Sequence, residues 1–140
     1  MSGLNITTRD VGDVVIVDLA GRITIGETNR QLHEALRVLV SEGKKKVILN
    51  LEKVDRIDSS GLGEIVAGFS TLRKNDGVLR LLKLTDQIQD LMTITKLLTV
   101  FDHFEDEASA IASFASNADL STQPLDIANS PGDRAASSIY

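Results

Sequence analysis

The chain has 140 residues, of which 42% are hydrophobic, 25% charged and only 4% aromatic, and its formal net charge is −5. This size and hydrophobic content suit one domain with an aliphatic core, and the acidic balance disfavours nucleic-acid binding. Because cysteine is absent, disulfides, thiolate metal sites and thiol catalysis are excluded. No apolar run is long enough for a membrane span, and the polar start of the chain predicts no signal peptide, so we expect a cytoplasmic protein.

Two strands are predicted at the start of the chain, and we expect them to pair as a hairpin. Residues 4–8 alternate between apolar and polar, residues 14–19 form a β-branched run, and a Gly-Asp turn separates the two. Ala20 and Gly21 are expected to interrupt the second strand.

The first helix is predicted between Gly26 and Gly43. Gly26 precedes the helix, and Gly43 suits the position just after its end, where a left-handed backbone is common. His33 lies between polar residues and is expected on the surface. The apolar residues recur at helical spacing and form one face: Leu32, Ala35, Leu36, Leu39 and Val40.

The most informative stretch covers residues 46–74. Residues 47–49 predict a buried strand, and a second extended piece at residues 54–57 follows a turn at residues 52–53. The hexapeptide Asp-Ser-Ser-Gly-Leu-Gly comes next, at residues 58–63. An amphipathic helix then follows, with apolar residues at helical spacing: Leu62, Ile65, Val66, Phe69 and Leu72.

Two interpretations of this hexapeptide stay open at this point. Ser59 or Ser60 is expected to be the N-cap, because serine oxygens accept hydrogen bonds from the free N–H groups of a first helical turn. That structural role does not explain Gly61 and Gly63, because glycine costs about 0.5–1 kcal/mol relative to alanine inside a helix. The glycines indicate that either a neighbouring element or a partner molecule approaches the backbone there.

The remaining elements continue the alternation of strands and helices. The second helix is expected to stop at the Asn-Asp-Gly sequence of residues 75–77. Residues 78–82 predict a buried strand parallel to the previous one, since a helix connects the two. A third helix follows Thr85, a short strand is expected at residues 100–101, and a last helix begins at residues 106–107.

This order predicts an α/β fold, a mixed sheet of four or five strands with four helices packed mainly on one side. Residues 1–117 are expected to form the domain. From Ala118 onward helical and strand periodicity are absent, and both prolines of the chain lie in this part. Residues 118–140 are therefore predicted to be a flexible C-terminal tail.

The sequence offers no recognisable catalytic constellation. The G-x-S-x-G motif of serine hydrolases is absent, and so is the lysine of a nucleotide-binding phosphate loop. His33 and His103 are the only histidines; they lie in no motif, and a metal site needs more converging ligands. We therefore predict no enzyme activity, no metal and no cofactor.

The sequence Ile-Asp-Ser-Ser-Gly-Leu-Gly at residues 57–63, placed after KVILNLEKVDRI, resembles a motif of the STAS family, the anti-sigma factor antagonists of bacteria. The likeness to these proteins, of the stage II sporulation anti-anti-sigma factor type, covers about residues 4–116. It implies the same fold as the pattern above, a mixed sheet flanked by helices. It also implies a regulatory protein that acts by binding other proteins.

The resemblance implies a mechanism as well. Ser59 matches the serine that is phosphorylated in the family, and Asp58 matches the acidic residue beside it. The unphosphorylated protein binds an anti-sigma factor that is a serine kinase of the histidine-kinase-like ATPase type; phosphorylation abolishes this binding, and a serine phosphatase restores it. The expected partner-binding surface comprises Asp58, Ser60, Gly61, Leu62, Gly63 and Thr24.

One segment departs from the family pattern. Residues 21–24 read Gly-Arg-Ile-Thr where the family often has a Gly-Glu-Leu-Asp-like turn, so two acidic residues are replaced and Arg22 is gained. This change motivates an alternative function, a STAS scaffold or transport-associated module that binds its partner constitutively, without phosphorylation. A third hypothesis is a nucleotide-binding domain, since helix N-termini attract phosphates. Homodimer formation is left open.

Overall fold

The computed structural model describes residues 3–120, with side chains described for residues 3–115. Over this range strands and helices follow one another in the predicted order. The elements are β1 (Leu4–Val11), β2 (Val14–Ile23), α1 (Glu27–Ser41), β3 (Lys46–Ile57), α2 (Ser59–Lys74), β4 (Val78–Leu82), α3 (Asp86–Ile94), β5 (His103–Phe104) and α4 (Glu107–Leu120).

Within the described residues the strands form one mixed sheet in the order β1-β2-β3-β4-β5. β1 and β2 are an antiparallel hairpin, in which Val11 pairs with Val14 across a turn where Gly12 has a φ of 63°. The other neighbouring strands are parallel, and α1, α2 and α3 lie in the connections between them, as parallel pairing requires. The predicted α/β fold with a mixed sheet is confirmed, and the described part of the chain has five strands and four helices.

One face of the sheet shares a hydrophobic core with α1, α2 and α3. Successive strand residues point to opposite faces, and alternate residues of β2, β3 and β4 are fully buried against these helices, as at Val17, Leu49 and Leu81. Because β2, β3, β4 and β5 run parallel, the loops at their carboxyl ends come together at one edge of the sheet. The core side chains of the helices are Leu32, Leu36, Leu39, Leu62, Ile65, Leu72, Ile88 and Met92.

The central strand differs from its prediction. β3 is one continuous strand of 12 residues, without the turn expected at residues 52–53. β3 stays extended because it pairs with β2 as far as its last residue. Two register shifts, near Ala20 and Gly21, allow this pairing to continue along both strands. β2 likewise runs through the break expected there and ends at Ile23.

The end of the described chain also differs in its boundaries. β5 lies at His103–Phe104 and not at residues 100–101, because His103 and Phe104 are the residues in register with β4. The helix α4, considered by itself, continues to Leu120, beyond the domain boundary expected at residue 117. Residues 121–140 lie outside the described residues, so the predicted flexible tail stays a prediction.

Candidate functional site

The candidate site lies where β2 and β3 end side by side. Ile23 and Ile57, the last residues of the two strands, are paired in register. The backbone N–H of Asp58 donates to the carbonyl oxygen of Ile23 at 3.3 Å. The loop that enters α1 and the first turn of α2 therefore start from neighbouring points at the carboxyl edge of the sheet, where α/β proteins commonly place binding residues.

Asp58 is the N-cap of α2, so the prediction that Ser59 or Ser60 takes this position is wrong. The Asp58 backbone is extended, with φ −114° and ψ −179°, and its Oδ1 atom accepts a hydrogen bond from the N–H of Gly61 at 2.9 Å. Its Oδ2 atom accepts from the N–H of Ile25 at 3.1 Å. A carboxylate can serve both donors at once, and its negative charge suits a helix N-terminus, which explains why Asp58 and not a serine caps α2.

The carboxyl group of Asp58 is stabilised in its ionised form. Partial burial by itself raises the pKa of Asp58, because it disfavours the charge. Hydrogen bonds from the Ser60 hydroxyl and from backbone N–H groups, that of Gly61 first among them, act in the opposite direction and prevail, so the pKa of Asp58 is lowered from its ordinary value. A fixed negative charge therefore stands next to Ser59 at neutral pH.

The two serines have different environments. Ser59, the first residue of α2, is exposed, and its hydroxyl has no hydrogen-bond partner among the described side chains. Ser60 is half-buried, and its Oγ atom donates to Asp58 Oδ1 at 2.6 Å and accepts from Asn29 Nδ2 at 2.8 Å. Another protein can reach the Ser59 hydroxyl, whereas the Ser60 hydroxyl is engaged inside the site.

Gly61 and Gly63 lack a side chain in different surroundings. A Cβ atom on Gly61 would overlap the carbonyl oxygen of Ile23 and lie 2.8 Å from the Ile23 Cγ2 atom, so a neighbouring element explains this glycine. Gly63 is exposed, and a Cβ atom there would meet nothing within 4 Å. Leu62 is only 2% exposed, so its side chain belongs to the core. Gly63, one helical turn after Ser59, is the glycine that opens onto the surface.

The loop before α1 brings Thr24 to the same edge of the sheet. The N–H of Thr24 donates to Thr28 Oγ1 at 3.0 Å, and that hydroxyl donates back to the carbonyl oxygen of Thr24 at 2.9 Å. Thr24 is half-buried. The neighbouring N–H of Ile25 bonds to Asp58, so the loop that carries Thr24 is attached to the start of α2.

Two further residues of this region were not identified from the sequence. Ile25 is 80% exposed although it is apolar, and its hydrogen bond to the cap carboxylate holds it at the site. Asn29 is only 9% exposed and contacts Ser60. A signal existed for each, because Ile25 is a single apolar residue in a loop and Asn29 lies three residues before Leu32, on the apolar face of α1.

The arrangement suits protein binding and covalent modification. It presents an exposed hydroxyl next to a carboxylate at a helix N-terminus. Among the described residues, no cluster of His, Asp or Glu side chains is placed to hold a metal ion. His33 is exposed, as expected, with its Nδ1 atom 3.2 Å from Glu64 Oε1 on α2. None of the helices within residues 3–120 has the length and apolar character needed to cross a bilayer.

Comparison with known proteins gives consistent results. A model of the STAS domain family matches residues 5–110. An anti-sigma-B factor antagonist of Staphylococcus aureus (strain NCTC 8325 / PS 47) is 34% identical to this chain over 94 residues, which cover 67% of this chain and 86% of that protein.

Solved structures show the same fold. An anti-sigma factor antagonist from Mycobacterium paratuberculosis superposes with a TM-score of 0.69 at 19% identity, over 79% of this chain and 93% of that chain. The Bacillus cell fate determinant SpoIIAA in its phosphorylated form superposes with a TM-score of 0.63 at 20% identity, over 79% of this chain and 99% of that chain. At these identities the likeness is one of fold.

Proposed function

The chain belongs to the STAS domain family, as its Asp-Ser-Ser-Gly-Leu-Gly motif predicted, and we propose that it is an anti-sigma factor antagonist controlled by phosphorylation of Ser59. Unphosphorylated, it binds an anti-sigma factor that is also a serine kinase of the histidine-kinase-like ATPase type. Phosphorylation by that kinase releases it, and a serine phosphatase reverses the modification. The protein acts in the cytoplasm and by binding, without catalysis of its own.

The observation that carries this proposal is the exposure of Ser59 beside an ionised Asp58 at the start of α2. A kinase needs access to the hydroxyl that it modifies, and Ser59 is exposed while Ser60 is engaged in two hydrogen bonds. One protein of the same fold, SpoIIAA, has a phosphorylated form. The similarity to an anti-sigma-B factor antagonist supports the same class of partner for this chain.

The proposed docking surface has an apolar and a polar part. Ile25 contributes exposed apolar area, and apolar side chains surrounded by polar groups are typical of protein interfaces. Ser59 and Gly63 contribute one exposed edge of α2, where the missing side chain of Gly63 lets a partner approach the helix backbone. The buried residues Gly61 and Leu62 support this surface from beneath.

Phosphorylation would change the charge of this surface without unfolding it. A phosphate adds about −1.5 to −2 charges at pH 7. On Ser59 it lies at the N-terminus of α2, where the helix dipole and free N–H groups stabilise an anion. Since Asp58 already places one negative charge there, a partner that tolerates the carboxylate meets additional bulk, desolvation and repulsion. Release of the partner follows from the docking surface and not from loss of the fold.

Mass spectrometry tests the modification directly. We expect that incubation with ATP and the serine-kinase anti-sigma factor encoded nearest to this gene adds one phosphate to the wild-type chain and none to Ser59→Ala. Ser70→Ala is the matched control, because Ser70 is another exposed serine of α2, and it should gain one phosphate as the wild type does. A phosphate that persists on Ser59→Ala, or no gain on the wild type, contradicts the proposal.

Constitutive binding is the second candidate, and exposed Arg22 favours it. Arg22 lies next to the last residue of β2 and gives this edge a cation. A pull-down with the same kinase separates the two functions. If charge on Ser59 controls docking, Ser59→Asp weakens binding about tenfold or more, because like charges across an interface cost several kcal/mol. Equal capture of Ser59→Asp and wild type would indicate a constitutive scaffold.

A further inference from the structure

We propose that Asn29 is a positioning residue that acts through Ser60 on Asp58, and that this chain of hydrogen bonds fixes the Ser60 hydroxyl on the cap carboxylate of α2. The inference rests on the proposed function for its biological meaning. Its physical content concerns only contacts between α1 and the first turn of α2. Its test therefore needs neither the kinase nor the partner.

Three side chains from different elements form the chain of hydrogen bonds. Asn29 extends from the first turns of α1, Ser60 is the second residue of α2, and Asp58 follows β3. Asn29 Nδ2 lies 2.8 Å from Ser60 Oγ, and Ser60 Oγ lies 2.6 Å from Asp58 Oδ1. Both distances are those of well-formed hydrogen bonds.

The direction of each hydrogen bond follows from the charge of Asp58. An ionised carboxylate only accepts hydrogen bonds, so the single proton of the Ser60 hydroxyl points to Asp58. Ser60 Oγ can then only accept from Asn29, which requires the Nδ2 atom and not the Oδ1 atom of Asn29 to face it. The carboxylate thus sets the direction of the hydroxyl proton, and donation by Asn29 into the hydroxyl oxygen strengthens the bond that the hydroxyl gives to the carboxylate.

The position of Asn29 is not explained by stability alone. Asn29 is nine-tenths buried, and among the described residues its Oδ1 atom has no hydrogen-bond partner. A buried polar atom without a partner costs about 1–3 kcal/mol. What the side chain provides in return is its contact with Ser60, whose hydroxyl is one of the donors to the cap carboxylate.

The two adjacent hydroxyls at the proposed switch therefore differ in freedom and exposure. The proton of Ser60 is directed to Asp58 and one lone pair of its oxygen accepts from Asn29, so this half-buried hydroxyl keeps a fixed orientation inside the site. Ser59 is exposed and has neither constraint. Asn29 therefore orients the hydroxyl that is not exposed and, through it, adds to the stabilisation of the ionised Asp58 carboxylate beside Ser59.

The test is a titration of the Asp58 carboxyl carbon by NMR in the full chain. We expect Ser60→Ala and Asn29→Ala each to raise the pKa of Asp58, Asn29→Ala by about half a unit because it weakens the Ser60 bond without removing it. Asn29→Asp has nearly the same shape, so it keeps the packing. Its carboxylate competes for the Ser60 proton and adds a like charge, so it should raise the pKa further, by about one unit or more.

The control is a cycle that asks whether Asn29 acts through Ser60. In a Ser60→Ala background, Asn29→Ala should leave the titration of Asp58 unchanged, and Arg37→Ala, an exposed change farther along α1, should do so in both backgrounds. If the Asn29 variants titrate as the wild type does, or if Asn29→Ala has the same effect with and without Ser60, the positioning role is overturned. Either result would leave the phosphorylation of Ser59 unaffected as a separate question.

Discussion

At the scale of single residues, the two glycines of the first turn of α2 make a matched pair. Gly61 faces the carbonyl oxygen of Ile23, and Gly63 faces open space. We expect Gly61→Ala to lower the free energy of unfolding by about 1–3 kcal/mol, because overpacking forces the backbone of β2 or α2 to shift.

Gly63→Ala serves as the control for this substitution. It should raise the free energy of unfolding by about 0.4–1 kcal/mol, because alanine restricts the unfolded chain and favours a helix. Urea denaturation followed by circular dichroism measures both. If both substitutions change the free energy of unfolding equally, the backbone around Ile23 and Gly61 can move apart to make room for a methyl group. Gly63→Ala should nevertheless weaken binding to the anti-sigma factor, since its methyl group stands on the proposed docking surface.

At the scale of elements, the start of α2 depends on the charge of Asp58. Because the pKa of this carboxyl group is lowered in the folded state, its contribution to stability is present above its unfolded value of about 3.9 and is lost as the pH falls through the lower folded value. We expect the wild type to be more stable than Asp58→Asn at pH 7, and this difference to shrink as the pH approaches 2.

Thermal unfolding of both proteins at a series of pH values measures this difference. The comparison isolates one group, since other carboxyl groups with a lowered pKa, such as Asp18 beside Arg9, titrate in both proteins. A difference that stays constant from pH 7 to pH 2 would show that Asp58 acts as a neutral cap. Such a result would also remove the fixed charge on which the proposed repulsion of the partner depends.

At the scale of the whole molecule, β4 and the segment before β5 are connected by a buried cation. The Arg80 side chain is 3% exposed, and its Nη1 atom donates to Asp102 Oδ2 at 2.7 Å. Burial lowers the pKa of Arg80, and the nearby Asp102 carboxylate partly offsets this effect. We expect Asp102→Ala to lower the free energy of unfolding by about 1–3 kcal/mol, because it removes a partner of a buried charged donor.

Two other substitutions complete this measurement. Asp102→Asn keeps an acceptor oxygen and should cost less than Asp102→Ala, while Asp90→Ala removes an exposed carboxylate of α3 and should change little. Guanidinium denaturation of the three variants gives the order. If Asp102→Ala is as stable as Asp90→Ala, the pair contributes nothing to holding this edge of the sheet.

Periodicity and short motifs predicted much of this molecule. Apolar spacing located α1 and α2, a β-branched run located β2, a short apolar run located β4, and the helices between strands indicated parallel pairing. The prediction of a turn at residues 52–53 is wrong, because charged residues there interrupt the apolar run while pairing with β2 keeps the strand extended. The short strand was predicted at residues 100–101 but lies at His103–Phe104. A strand of two residues has no periodicity in the sequence, and only its pairing with β4 defines it.

The sequence by itself determined the order of the elements, the family, and the place of a serine pair at the start of α2, because these are properties of neighbouring residues. Only the tertiary structure decided that the Asp58 carboxylate also binds the N–H of Ile25, that Gly61 has no room for a side chain against Ile23, and that Asn29 engages Ser60 and not Ser59. Each of these depends on an approach between segments far apart in the chain. Such distances are set when β2 pairs with β3 and α1 packs against α2, and they cannot be read from a local pattern of residues.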